Sequence, residues 1–119
     1  MLLDKLRDKY PLKYPRYMSV PPEWHNLIEV LVGNIYSHLD RYDDVGRIKQ
    51  RFVLRGENIP PWIDEYFATN PNNPKETFEI VQVKEKFDSL RFYVDGEDDF
   101  IRGLIAMACS MSRHIGDKQ

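Results

Sequence analysis

The sequence is short of cysteine, of late proline and of long apolar runs, and each shortage removes a class of protein. Its only cysteine is Cys109. No internal disulfide can form, and no cluster of thiolates can hold a metal. A reducing, cytoplasmic setting is therefore expected. No apolar stretch approaches the ~20 residues that a membrane-spanning helix needs, and no apolar leader core opens the chain, so no membrane association is expected. Net charge is only -2, from 17 basic and 19 acidic residues. The chain as a whole has no attraction for nucleic acid or anionic surfaces, although local basic patches remain open. The phosphate-binding loop, the dinucleotide-binding glycines, the paired histidines of zinc proteases and the serine elbow of hydrolases are all missing. None of the eight prolines lies beyond Pro74, so the later part of the chain is free of that breaker.

What remains is an ordinary globular composition, with 42% hydrophobic, 30% charged and 13% aromatic residues in 119. One domain, 1–119, is the simplest reading. Its centre is residues 78–94, FEIVQVKEKFDSLRFYV. Two β-rich arms flank a polar KEKFDS turn, which predicts a β-hairpin. The two-residue period puts Val81, Val83, Leu90, Phe92 and Val94 on an apolar face, with Gln82, Lys84, Lys86, Arg91 and Tyr93 on the other. A lone hairpin is marginal in water, so that apolar face needs a cover.

Two periodic segments can supply it. Residues 22–39 begin with a proline suited to a first helical turn, and Glu23 complements the helix dipole. Trp24, Leu27, Ile28, Leu31, Val32, Ile35, Tyr36 and Leu39 then recur at spacings of three and four. Gly33 interrupts that stripe and is read as a point of close packing. The last helix starts in DGEDD, with Asp95 as the expected cap and Asp98 three positions on. Its stripe is Ile101, Leu104, Ile105, Ala108, Met111 and Ile115, and Gly116 is expected to end it. Before the first helix, residues 1–21 form a basic, proline-punctuated arm. A short helix there would present Leu2, Leu3, Leu6 and Tyr10 and stop at Pro11, with Tyr10, Tyr14 and Tyr17 packing the arm along the domain.

Residues 40–77 look like an elaboration inserted between helix and hairpin. DRYDDVG reads as a polar exit from the helix. Residues 48–54 are compatible with a third strand or with a helix. PPWIDEYF predicts a short helix packing through Trp62, Ile63, Tyr66 and Phe67, and NPNNP a loop. The expected architecture is thus α+β: an antiparallel hairpin, with a third strand if 48–54 is one, against two main helices.

VQVKEKFDSLRFYVDG resembles the signature of a family of small, uncharacterised phage and prophage proteins, V-x-Q-V-K-E-K-F-G-G-L-R-F-Y. Gln82, Val83, Lys84, Glu85, Lys86, Phe87, Leu90, Arg91, Phe92 and Tyr93 fit it, and Asp88-Ser89 replaces the two glycines. PPEWHNLIEVL and the Ala106, Ala108, Ser110 spacing resemble the flanking segments, so the likeness covers roughly 22–39 and 78–114. Many relatives carry a C-x-x-C pair that binds zinc, but this chain has His114-Ile115-Gly116-Asp117 there, so no zinc site is implied. The resemblance implies a phage or prophage origin and names no activity.

Catalytic hardware is thin. His25 and His38 lie too far apart on one helix to share a ligand sphere, and His38 beside Asp40, Asp43 and Asp44 reads as a solvated helix end. Cys109 sits among apolar residues and reads as a small core group. Glu97, Asp98 and Asp99 lack the spacing of a calcium loop and suit a helix N-terminus. Glu85 and Asp88 would serve a small enzyme only if they met a histidine in one pocket. No cofactor or metal is expected. Macromolecule binding is the better expectation. The candidates are Lys84, Lys86, Arg91 and Tyr93 on the hairpin and Arg47, Lys49, Arg51 and Arg55 in the middle. Two tryptophans and seven tyrosines favour a protein partner over nucleic acid. The nucleic-acid reading requires both basic runs on one face, with Tyr14 or Tyr17 between them. Homodimerisation through an open hairpin edge is the remaining option.

Overall fold

The computed structural model describes residues 1–115, and Gly116, the expected helix end, lies outside the described residues. Four helices and two strands run in the order α1 (Leu2–Lys9), α2 (His25–Arg55), α3 (Pro61–Thr69), β1 (Glu79–Lys86), β2 (Ser89–Asp95) and α4 (Asp99–Ser112). The strands form an antiparallel hairpin, and its apolar face is covered by α2 and α4. This is the expected α+β arrangement.

The core forms where three stripes meet. Helix α2 contributes Leu27, Ile28, Leu31, Val32, Ile35 and Leu39, and Trp24 enters from the 3-10 turn ahead of it. The hairpin adds Ile80, Val83, Leu90 and Phe92. From α4 come Ile101 and Ala108. The buried Trp24 indole donates to the carbonyl of Ser112 at 3.1 Å, tying the start of α2 to the end of α4. On the other flank of α2 lies α1, which buries Leu6. Its Lys5 and Lys9 grip Glu29 at 3.3 and 3.2 Å. Tyr10 packs over Gly33, where an added Cβ would stand 2.8 Å from the tyrosine hydroxyl, so the glycine does mark a close approach.

Several expectations are corrected. One is the inward set of β1. The pairing slips between Ile80↔Val94 and Gln82↔Tyr93, which makes Val81 an extra residue in a β-bulge. The bulge turns Ile80 and Val83 inward together and leaves Val81 43% exposed. On α4 the cap is Asp98, whose carboxylate accepts from the Ile101 amide at 2.9 Å, while Asp95 belongs to β2. Met111 is 47% exposed, and the small hydroxyl of Ser112 takes the inward place instead. Trp62 is half exposed, and Tyr17 lies out in solvent.

The largest correction concerns residues 40–55. DRYDDVG is not an exit, and 48–54 is not a third strand, because α2 runs without a break to Arg55. Charge and packing both explain this. Lys75, arriving from the loop before β1, binds the carboxylates of Asp40 and Asp43, and Arg47 binds Asp40 and Asp44. Tyr42 meets the edge of Phe67 at 5.2 Å, and Ile63 of α3 is fully buried beside this half of the helix. Gly56, with φ 69°, then ends α2. The result is an arm. The radius of gyration is 17.4 Å, against about 13–14 Å for a compact chain of this length, and the long axis measures 61 Å.

Candidate functional site

The hairpin and its turn present the candidate site. Lys86 pairs with Ser89, which leaves Phe87 and Asp88 as a two-residue turn. Both have positive φ, 53° and 59°. That is the mirror-image turn that suits the strand twist, but it favours Asn and Gly, and a phenylalanine there is strained. Glu85 steadies it, its carboxylate accepting from the Asp88 amide at 2.7 Å. Phe87 is 83% exposed, with the Lys86 ammonium 5.6 Å from its ring. The tight turn thus forms without the glycines of the resembling family.

Across the strands, Lys84 stands opposite Arg91 and Gln82 opposite Tyr93. All four lie on the hairpin's outer face, as expected, and Tyr93 is 49% exposed. Like charges directly opposite oppose pairing. Among the described residues, no salt bridge relieves Lys84, Lys86 or Arg91.

The other basic run is placed elsewhere. Arg47, Lys49, Arg51 and Arg55 all lie on the distal half of α2. At ~1.5 Å per residue, Arg51 is about 40 Å along that helix from Trp24, which lies beside the hairpin's turn. Arg47 is engaged by Asp40 and Asp44, Lys49 faces Asp64 at 3.8 Å, and Arg55 faces Glu57 at 3.9 Å. The two runs do not share a face. Tyr14 and Tyr17 do line a groove of about 630 Å³ with Lys84, but no residue of the distal run joins them.

Neither hairpin edge is open over its length. The N-terminal arm lies along β1, with the Ser19 carbonyl accepting from Glu85 at 3.2 Å and the Lys13 carbonyl from Ile80 at 2.9 Å. On β2, the Leu90 amide donates to the Ser112 hydroxyl at 2.9 Å. Dimerisation by strand addition would have to displace these contacts.

Glu85 and Asp88 do line one cleft, of about 660 Å³, with Glu23, Trp24, Ser112 and Arg113. No histidine lines it, so the enzymatic alternative lacks its proton carrier there. His38 instead bonds Asp98 at 2.6 Å and stacks on Phe100 at 4.3 Å. Burial, outweighing the nearby charges of Arg91 and Arg113, pushes the Cys109 thiol above its ordinary range. Such a thiol is a poor nucleophile. Among the described residues, no group of three or more potential ligands could hold a metal, and no helix is long and apolar enough to cross a membrane.

The basic residues of the face were named from the sequence, but Phe87, 83% exposed at the turn, was not. Phe87 had a signal in retrospect, since it is the one aromatic between the two basic arms. No family model, curated protein or solved structure matches the chain.

Proposed function

We propose that this is a non-enzymatic accessory protein of phage or prophage type that works by binding another protein through the tip and outer face of its hairpin. The phage origin rests on the resemblance of residues 82–93 alone. The binding reading is carried by Phe87, a large apolar ring held in solvent on a left-handed backbone. Such a residue costs stability in the free protein, and strain of this kind collects at functional positions. Its ring is the anchor, and Lys84, Lys86, Arg91 and Tyr93 form the rim. Charge complementarity defines the partner surface as an apolar pocket with acidic groups around it.

The test is retention from a lysate of the natural host on the immobilised chain, beside the Phe87→Ser variant. A protein held by the native chain and lost with Phe87→Ser supports the proposal. Loss of a buried aromatic anchor should weaken binding by about 2–4 kcal/mol, or roughly 30- to 1000-fold. Equal retention on both, or none on either, overturns it. Light scattering across a range of concentrations tests the other occupant. A dimer abolished by Phe87→Ser would make a second copy the partner and overturn the heterologous reading.

A further inference from the structure

Away from the hairpin tip, the outer side of α4 carries three large apolar groups that the docking proposal does not use. Phe100, Met107 and Met111 are 55%, 64% and 47% exposed. Helical spacing sets them along one line, and α4 buries Ile101, Ala108 and Ser112 on its other side. Next to that line runs a row of small exposed residues, Gly103, Ala106 and Ser110. Gly103 is the informative one, because a glycine weakens the middle of a helix. Gly33 of α2 has its reason in Tyr10, whose hydroxyl lies 2.8 Å from the place of a Cβ, whereas at Gly103 nothing lies within 4 Å. Within one copy of the chain, no neighbour requires the missing side chain.

The face is complementary to itself. Set a second α4 antiparallel to the first, with the two-fold axis passing between positions 106 and 107. Ala106 then falls level with Met107 of the second copy, and Gly103 with its Ser110. Small residues meet where the backbones approach most closely, and the methionines of both copies seal the same flank. Charge follows the same symmetry. The Asp99 side chain, 97% exposed, opens the helix, and Arg113 and His114 stand in the turn that closes it. The antiparallel arrangement sets Asp99 level with His114 of the second copy and beside its Arg113. Within its own chain Asp99 bonds Arg102. Arg113 borders the cleft that also holds Glu23, Glu85 and Asp88, yet it makes no salt bridge among the described residues. Opposed helix dipoles add to the match.

We propose that the outer face of α4 is the contact of a symmetric homodimer, in which two antiparallel copies of α4 pack Met107 over Ala106 and bring Gly103 against Ser110. The 14-residue helix is about 21 Å long, so the contact is smaller than the ~1,600 Å² of a standard interface. The dimer is accordingly weak, with a Kd of about 100 µM. It leaves the hairpin tip of each copy free, so two docking surfaces are carried by one assembly.

The experiment is sedimentation equilibrium of the full chain at concentrations from about tenfold below to tenfold above that Kd. A monomer–dimer equilibrium is expected. Each substitution enters the interface twice, so Met107→Glu should weaken the dimer at least tenfold, with an unchanged urea midpoint because the side chain is exposed in the monomer. Gly103→Gln separates folding from association. It should raise the melting temperature by roughly 2–5 °C through helix propensity, and weaken the dimer about tenfold by holding the helices apart. Phe87→Ser should leave the dimer intact, so failure of the docking proposal and failure of this one are distinguishable. Mild oxidation reads the geometry in a Cys109→Ala background. Ala106→Cys, beside the axis, should cross-link to its own copy, and Gly103→Cys, about 10 Å along the helix from its counterpart, should not. The proposal is overturned by a monomer at every concentration, or by a dimer that Met107→Glu leaves unchanged. It is equally overturned by a dimer that Phe87→Ser abolishes, which would place the contact at the hairpin, or by cross-linking of Gly103→Cys as complete as that of Ala106→Cys.

Discussion

Gly96 and Gly56 both adopt left-handed backbone, with φ 79° and 69°, yet replacing them with alanine should have very different effects. Gly56 ends α2 in open space, with nothing within 4 Å of the position a Cβ would take. Gly56→Ala therefore incurs only the left-handed conformational penalty, about 1 kcal/mol. At Gly96 the new Cβ would lie 2.5 Å from the Thr77 carbonyl oxygen, 2.9 Å from its carbon and 3.2 Å from the Phe78 Cα. All three are backbone atoms, so no side chain can swing aside. Withdrawing that backbone would drag on Phe78, which is completely buried. The overpacking term of about 1–3 kcal/mol adds to the conformational one, for a total near 3 kcal/mol. With a urea m-value of about 1.5 kcal/mol/M, the midpoint should fall by ~2 M for Gly96→Ala and by well under 1 M for Gly56→Ala. Midpoints within ~0.3 M of each other, at unchanged m, would refute the claim that close approach to residues 77–78 makes glycine necessary at 96.

Two further substitutions probe the joints of the fold. Lys75→Met removes the cation between Asp40 and Asp43 and its place 4.8 Å from the Tyr36 ring, leaving two partly buried carboxylates in mutual repulsion. A loss of about 1–2 kcal/mol in urea unfolding is expected, with Asp40→Asn recovering part of it in the double variant. Asp98→Ala removes the α4 cap and should destabilise by about 1 kcal/mol, while Asp98→Asn keeps an acceptor and costs less. Burial alone would raise the Asp98 carboxyl, but the bonds from His38 and the Ile101 amide outweigh it and hold the group below its ordinary 3.8. The depressed folded value means that its ionised form stabilises the native state above about pH 4, and that this stability is lost as the pH falls through the folded value. Unfolding free energies measured from pH 5 to pH 2 should accordingly fall less steeply for Asp98→Asn than for the native chain.

The main helices and the hairpin were legible because their signals are repeated. Eight apolar residues at helical spacing outvote any single exception, as do two β-rich arms about one polar turn. What escaped was decided by single residues or by distant ones. The bulge at Val81 shifts one residue and leaves no compositional trace. DRYDDVG looks like an exit because Asp and Gly are locally poor helix formers, and the lysine that neutralises Asp40 and Asp43 arrives more than thirty positions later in the chain. The same holds at the site. The cations of the hairpin were evident as residues, but nothing local distinguishes them from Arg47, Lys49 and Arg55, each of which finds an acid in the folded chain.

That contrast leads to a final prediction. Folding alone would favour a different hairpin end from the one present. Asn-Gly suits both left-handed positions of the turn, and an acid opposite Arg91 would form a cross-strand pair where Lys84 now repels. Phe87→Asn with Asp88→Gly should therefore stabilise the chain, by about 1 kcal/mol in urea unfolding, since each non-glycine residue in this conformation costs of that order. If Phe87 serves docking, the same double variant should lose the partner while its melting temperature rises by roughly 3–6 °C. Gains in stability with loss of binding would locate the function in the strain. A double variant that is less stable than the native chain would mean that Phe87 contributes to folding, and the reason for assigning it a partner would be gone.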